Sequence, residues 1–229
     1  MDSAPRTYTG ISIQVSLSGY SFKVYPSDGL HPRSWRGPET LFTTPEFQHR
    51  YDKVDISLLT PKVCLVPEVF FDSQSARGAL SEVCPLQDGD FVETMEISSL
   101  ASVLVFSNSI GETLSKVMAQ TVLPTSGEPV RVLPEMYYLL NQLDSIQDYN
   151  KIVASWAGEW LHLVIAQGKS LRLANVFRAP DFTTAQYFLF LSLKQLQLNP
   201  EVSTVCFRTP LDSEASMSLY RYFKGVVQL

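Results

Sequence analysis

The side chains that could do chemistry are few and scattered. Between Glu68 and Glu96 seven carboxylates face one base, Arg77. Within that run Asp88-Gly-Asp90 is acidic enough to attract Ca²⁺, but the rest of a calcium-loop signature is missing. The segment therefore reads as a solvated helix face and a turn rather than an acidic docking surface. His31, His49 and His162 are isolated. His49-x-x-Asp52 has no second ligand pair nearby, and no metal is expected. Cys64, Cys84 and Cys206 lie far apart without a histidine to activate them. An odd, sparse set suits reduced thiols in a cytoplasm. Gly-x-Ser-x-Gly, Cys-x-x-Cys, His-Glu-x-x-His and Walker patterns do not occur, so no catalytic residue and no cofactor are assigned.

The composition is that of a packed globule. The 229 residues are 45% apolar and 18% charged, with 13 Phe, 10 Tyr and 3 Trp. That length allows one domain or two small ones. Net charge is −5 and lies in the first 127 residues, which hold 9 Lys/Arg against 14 Asp/Glu, whereas the rest hold 9 of each. An acidic chain repels phosphate backbones, and nucleic acid is not expected as a partner on that ground. The start Met1-Asp2-Ser3 lacks a basic and an apolar region, so a secretory signal is not expected. No run approaches the roughly 18 apolar residues of a membrane span. The expected location is cytoplasmic.

Residues 11–25 read as a hairpin. Ile11, Ile13, Val15 and Leu17 alternate with polar residues, and Phe22 and Val24 alternate again after Ser18-Gly19. Residues 26–50, rich in Pro, Gly, Arg and Ser, read as a long surface excursion with at most one edge strand. Residues 54–66 give two short strands broken at Pro61, and a helix is expected from near Pro67 to Pro85. Residues 103–106 make a buried strand. A helix follows, capped by Asn108 or by Ser109 with Glu112 as a capping box. A strand at 130–133 and a helix at 135–146 complete this half.

The second half is cleaner. Strands at 150–157, 160–166 and 170–178 turn at Gly158-Glu159 and Gln167-Gly168-Lys169. Asp181 or Thr183 caps a long helix that Asn199-Pro200 stops. A strand at 202–207, a helix at 211–224 and a last strand at 226–229 follow. The order strand-strand-strand-helix-strand-helix-strand thus reads twice, implying α/β architecture with mixed sheets flanked by helices.

Two such units in tandem resemble the ribonuclease H-like lobe duplicated in the actin, Hsp70 and sugar-kinase superfamily, the actin-like ATPase architecture. Within it the chain resembles the uncharacterised bacterial family catalogued as domain of unknown function 3822. The carrying residues are Ile13-Gln14-Val15-Ser16 through Tyr25, Leu65-Val66-Pro67-Glu68, and Trp160–Phe177 followed by Phe182–Pro200. The resemblance implies a first lobe over residues 1–147 and a second over 148–229.

Catalytic members of that superfamily carry a phosphate turn in the first hairpin of each lobe, Asp-x-Gly-Thr/Ser in one and Asp-x-Gly-Gly-Gly/Thr-Thr in the other. The Asp holds the metal or its water, and the glycines let backbone N–H groups approach phosphate. Here the first turn falls on residues 14–19, with Gln14 at the carboxylate position and Ser16 at the glycine position. The second falls on residues 155–160. Ser155 replaces the carboxylate, only Gly158 survives, and Trp160 replaces the hydroxyl residue. Glu159 would set a negative charge against a γ-phosphate, at a cost of roughly 4 kcal/mol for charges about 4 Å apart. The superfamily's late adenosine-binding glycine pair has no candidate, because Gly225 is the only glycine after Gly168. ATP hydrolysis is not expected, and both turns read as plain hairpin turns.

Aromatic residues are in excess of one core. Trp156 and Trp160 flank one tight hairpin, close enough in sequence to stack across strands. Either they and Tyr220 and Tyr222 pack structurally, or they form an exposed patch at a partner interface. The leading expectation is a non-catalytic actin-like module that binds another protein. The alternative is a degenerate nucleotide binder. A ribonuclease-type activity ranks last, because the hairpin strands lack acidic metal ligands.

Overall fold

The computed structural model describes residues 9–25, 34–109 and 112–229. His31 and the proposed helix cap at 109–112 fall wholly or partly outside them. The elements run β1 (Gly10–Ser16), β2 (Gly19–Tyr25), β3 (Lys53–Leu58), β4 (Val63–Pro67), α1 (Ala76–Val83), β5 (Glu93–Ile97) and β6 (Ser102–Phe106). Then come α2 (Glu112–Thr121), β7 (Val132–Pro134), α3 (Glu135–Gln142), β8 (Asn150–Ala157), β9 (Trp160–Gln167) and β10 (Ser170–Arg178). The chain ends with α4 (Phe182–Gln195), β11 (Thr204–Phe207), α5 (Ser213–Tyr220) and β12 (Gly225–Gln228).

The second half folds as its pattern dictates. Two tight turns make an antiparallel β8-β9-β10 ribbon, and α4 and α5 return β11 and β12 parallel to β8, in the order β10-β9-β8-β11-β12. Gly158 opens the first turn at φ +62°, a left-handed value that a side chain resists. Asp181 caps α4 by accepting from the Thr184 N–H at 2.7 Å. Strand alternation sends Ile152, Leu161, Leu163 and Val205 to a core under α4 and α5. It sends Val153, Val164 and Ala166 to a second core on the opposite face.

The first half has the same opening and a different middle. β1 and β2 form a hairpin, β3 runs parallel to β1 and β7 parallel to β3, in the order β2-β1-β3-β7. β4, β5, β6 and α1 do not join this sheet. They form an inserted three-stranded antiparallel sheet, order β4-β6-β5, with α1 against it. Both faces of this sheet are apolar. Val63, Leu104 and Phe106 meet α3 and the five-stranded sheet, while Val103 and Val105 meet α1. An isolated sheet with two apolar faces must be sandwiched, which is why the insertion packs between helix and sheet. β5 (Glu-Thr-Met-Glu-Ile) lies within the acidic run that reads as helix and loop. Met95 and Ile97 turn inward and Thr94 and Glu96 outward.

Residues 34–50 are not a surface excursion. Two 3₁₀ turns, Pro38–Thr43 and Pro45–Gln48, bury Leu41 and Phe47 against the outer face of the four-stranded sheet beside α2. The Arg36 carbonyl crosses Gly19 so closely that a Cβ there would lie 2.1 Å from it. The expected helix from Pro67 begins only at Ala76, after two short 3₁₀ turns.

Candidate functional site

The parallel strands of the two larger sheets end close together, the place where open α/β sheets bind ligands. Five residues meet there: Gln14 on β1, Ser57 on β3, Glu135 at the start of α3, Ser155 on β8 and Arg208 just after β11. All five are buried. The Glu135 carboxylate is the hub. Its Oε1 accepts from Gln14 Nε2 at 2.9 Å, from Ser155 Oγ at 2.6 Å and from Arg208 Nε at 2.9 Å. Arg208 Nη2 donates to Glu135 Oε2 and to Ser57 Oγ, both at 3.3 Å. The guanidinium also lies 4.7 Å from the Tyr138 ring centroid. Ser21 Oγ donates to Gln14 Oε1 at 3.1 Å, which fixes the amide with its NH₂ toward Glu135.

Burial pushes the Glu135 carboxyl upward. The Arg208 charge and the hydrogen bonds from Arg208, Ser155 and Ser57 outweigh it and hold the group below the ordinary carboxylate range. The position also suits an anion, because Glu135 is the first residue of a helix. Gln14 and Ser155, where the resemblance would put metal-binding carboxylates, thus act as donors to one internal carboxylate. An Asp at either place would be an acceptor facing an acceptor.

In the turns at residues 14–19 and 155–160, polar groups are already bonded within the chain. In the first, Ser16 Oγ accepts from the Ser18 N–H at 3.3 Å and donates to the Gly19 carbonyl at 3.3 Å. In the second, the Trp156 N–H donates to Thr209 Oγ1 at 2.8 Å. Glu159 does not point at a cleft unpaired; its Oε2 accepts from Arg178 Nε at 2.9 Å at the surface. A Cβ built on Gly158 would lie 3.7 Å from Ser18 Oγ, so the two turn tips approach each other. Beside them is a cavity of about 450 Å³ lined by Trp35, Trp156, Pro210, Leu211 and Asp212, among others. Among the described residues its lining includes no Lys or Arg.

Trp156 and Trp160 do not stack. Register pairs Trp156 with Leu161 and Trp160 with Ala157, which places the indoles on opposite faces. Trp156 packs edge-on against Phe182, centroids 5.3 Å apart, and its Nε1 donates to the Ala179 carbonyl at 2.8 Å. Trp160 is half-buried with its Nε1 lacking a partner. Tyr220 and Tyr222 are about half exposed; Tyr222 packs edge-on against Phe190, and Tyr220 Oη donates to the Val226 carbonyl. The four residues form no single patch by these contacts.

His162 is fully buried, with Nε2 2.9 Å from the Thr60 carbonyl. A carbonyl can only accept, so Nε2 carries the proton and Nδ1 is left unpaired. Burial holds its pKa below the usual value, against the opposing Thr60 bond. Asp90 of the acidic turn is buried and paired with Lys62, whose hydrogen bond draws its pKa down to about 2 despite burial. Burial pushes the Cys64 thiol up to about 11. Among the described residues no group of three or more His, Cys, Asp or Glu is placed to hold a metal ion. Sequence reasoning missed Glu135, Arg208 and Lys62. Two of them had a positional signal, since Glu135 and Arg208 each directly follow the end of an apolar strand.

The arrangement of paired sheets, crossover helices and hairpins is that of the actin-like ATPase fold. A Bacteroides thetaiotaomicron protein described as having an actin-like ATPase fold and unknown function superposes with a TM-score of 0.65 at 16% identity, covering 96% of this chain and 90% of that one. The chain itself belongs to the family described as Protein of unknown function (DUF3822), which it matches over residues 37–226. Weaker similarity extends to the cytoplasmic domain of EpsL, an inner membrane component of the type II secretion system of Vibrio cholerae (TM-score 0.48, 14% identity, 89% and 83% coverage). It extends also to the PilM–PilN type IV pilus biogenesis complex (TM-score 0.46, 13% identity, 97% and 88% coverage). No curated protein matches the sequence.

Proposed function

We propose that this chain is a non-catalytic actin-like module, cytoplasmic and working through protein–protein contacts, with lobes at 1–147 and 148–229. The observation that carries the reading is the Glu135 hub. Gln14 and Ser155 donate to a carboxylate already paired with Arg208, in the position where a metal–phosphate group would need acceptors for the metal and donors for the phosphate. A phosphate entering there meets Glu135. A metal ion meets Arg208. Separating the pair to admit either leaves a buried charge uncompensated, at about 3–5 kcal/mol. The turn amides of Ser18 and Trp156 are already used. No helix among the described residues is long and apolar enough to cross a membrane.

A second reading rests on the 450 Å³ cavity at the turn tips. Its indoles, Trp35 and Trp156, supply surfaces on which a planar base can stack, although among the described residues no Lys or Arg lines it to neutralise phosphate. One experiment separates the two. Thermal melting with ATP, ADP or GTP plus Mg²⁺ is expected to leave the midpoint unmoved. A rise of several degrees with any nucleotide favours the second reading, since a ligand of the native state must stabilise it.

A further inference from the structure

We propose that the groove between the inserted three-stranded sheet and β10 is the docking site for an extended, acidic segment of a partner protein, with aliphatic or aromatic residues beside its carboxylates. This rests on the interaction-module reading above and names the surface and the partner's chemistry.

The groove is formed where the Ser98–Ser102 turn faces the outer strand of the five-stranded sheet. Its cavity is about 590 Å³, with Leu65, Leu100, Leu171 and Leu173 contributing an apolar lining. A second cavity of about 240 Å³ shares Ser99, Leu100 and Lys169 with it and continues the channel to Lys151 and Asp144. Along this path the charged side chains are Arg172, Lys169 and Lys151 against Asp144 alone. That basic bias is local, because the chain as a whole carries −5. Arg172 and Lys169 are exposed. Charged walls above an aliphatic floor select a segment with matching carboxylates and apolar residues.

Beside the groove the chain leaves Pro67 into the turn Glu68–Phe70, pinned by the Glu68 N–H donating to the Ala101 carbonyl at 2.9 Å. This turn holds out two of the three most exposed large apolar residues among those described, Val69 at 84% and Phe70 at 80%. Two adjacent exposed apolar side chains on a pinned turn have no role in the core and suit a contact surface.

The edge of β10 narrows the mode of binding. The Val176 N–H is taken by the Asn175 side chain at 2.8 Å, and the pairing with β9 shifts around Arg172. A bulge, a capped amide and edge arginines oppose strand addition, by another protein or by a second copy of this chain. The occupant is therefore held by side-chain contacts in the channel rather than by a backbone ladder.

A random 12-residue peptide library selected on the full chain tests this. Enriched peptides are expected to combine Asp or Glu with Leu, Ile or Phe. Labelled copies should bind by fluorescence anisotropy, and a Lys169→Glu/Arg172→Glu variant should lose roughly ten-fold or more in affinity. Val69→Ser/Phe70→Ser should weaken binding independently. Both pairs are exposed, and unchanged melting midpoints will certify the fold. Failure to enrich peptides, enrichment without carboxylates, or equal binding by the charge-reversed variant would overturn the proposal. So would capture of anionic phosphatidylserine vesicles in place of peptides. Nucleotide-induced stabilisation is measured separately. It bears on the module reading and leaves the peptide result to judge the groove.

Discussion

The two larger sheets start with the same hairpin and present different faces. The five-stranded sheet is apolar on both sides, with Leu161, Leu163 and Ile165 toward α4 and α5 and Val153, Val164 and Ala166 toward α3 and the insertion. The four-stranded sheet is apolar on one side only. Ile11, Ile13, Val15 and Ile56 meet α2 and the 3₁₀ turns, while Ser12, Gln14, Lys23, Asp55 and Ser57 share the other face by register. Apolar faces pack by burial, which tolerates small shifts. A buried polar face must satisfy each donor and acceptor, so it fixes position more strictly. The joint between the sheets is therefore specified by Glu135 and Arg208, and the polar face serves as a structural contact.

Arg208→Met should break this joint most severely. It leaves the Glu135 carboxylate buried without its cation, and a loss of about 3–5 kcal/mol in urea unfolding is expected. The Glu135→Gln/Arg208→Met double variant should recover much of that. If the single variant unfolds like the parent, the polar joint does not hold the sheets together. Gln14→Asp restores the superfamily residue and should come next. It removes a donor from Glu135 and adds a like charge, at about 2–4 kcal/mol at pH 7. Crowded carboxylates raise the folded-state pKa of one of them, so protons favour the folded variant and the penalty should shrink toward pH 5. Urea midpoints at the two pH values measure it, and a pH-independent penalty would contradict a charge origin.

How much of this was legible follows from the same contrast. In the second half each element's period, turn and cap agree, and Gly158, Gly168, Asp181 and Asn199-Pro200 mark boundaries that the fold keeps. In the first half the short strand after Pro61 and the strand at 103–106 are readable, but not their sheet. Strand patterns encode which residues face inward and not which neighbour they pair with. The losses at Gln14, Ser16 and Ser155 could be read against a known motif. Glu135 could not, because its partners are 121, 20 and 73 residues away and only folding assembles them. Lys62 and Asp90 were hidden likewise, 28 residues apart, with Asp90 in an acidic run that looks solvated and Lys62 ahead of it.

A smaller effect distinguishes the buried histidine on the five-stranded sheet. The folded-state pKa of His162 is depressed, so below about 6.5 the unfolded chain takes up a proton that the folded chain refuses. Stability from this group is complete above that pH and falls as pH drops, by up to about 1.4 kcal/mol per pH unit. His162→Gln keeps a donor for the Thr60 carbonyl and removes the titration. Its stability between pH 6.5 and 5 should decline less steeply than the parent's. Parallel slopes would mean that other groups carry the acid sensitivity.

The smallest effect is expected at the turn tip. Glu159 and Arg178 form an ion pair whose side chains are 40% and 71% exposed, so Glu159→Gln should cost under about 1 kcal/mol and less in high salt. Its value lies in what it cannot do. If Glu159 alone excluded phosphate, neutralising it would let Mg²⁺-ATP raise the melting midpoint. With Arg208 still held on Glu135 beneath the turns, no rise is expected from Glu159→Gln, nor from adding Gln14→Asp to it. Nucleotide binding by Glu159→Gln alone would place the barrier at the exposed hairpin rather than at the buried joint, and the polar face would still be a ligand site.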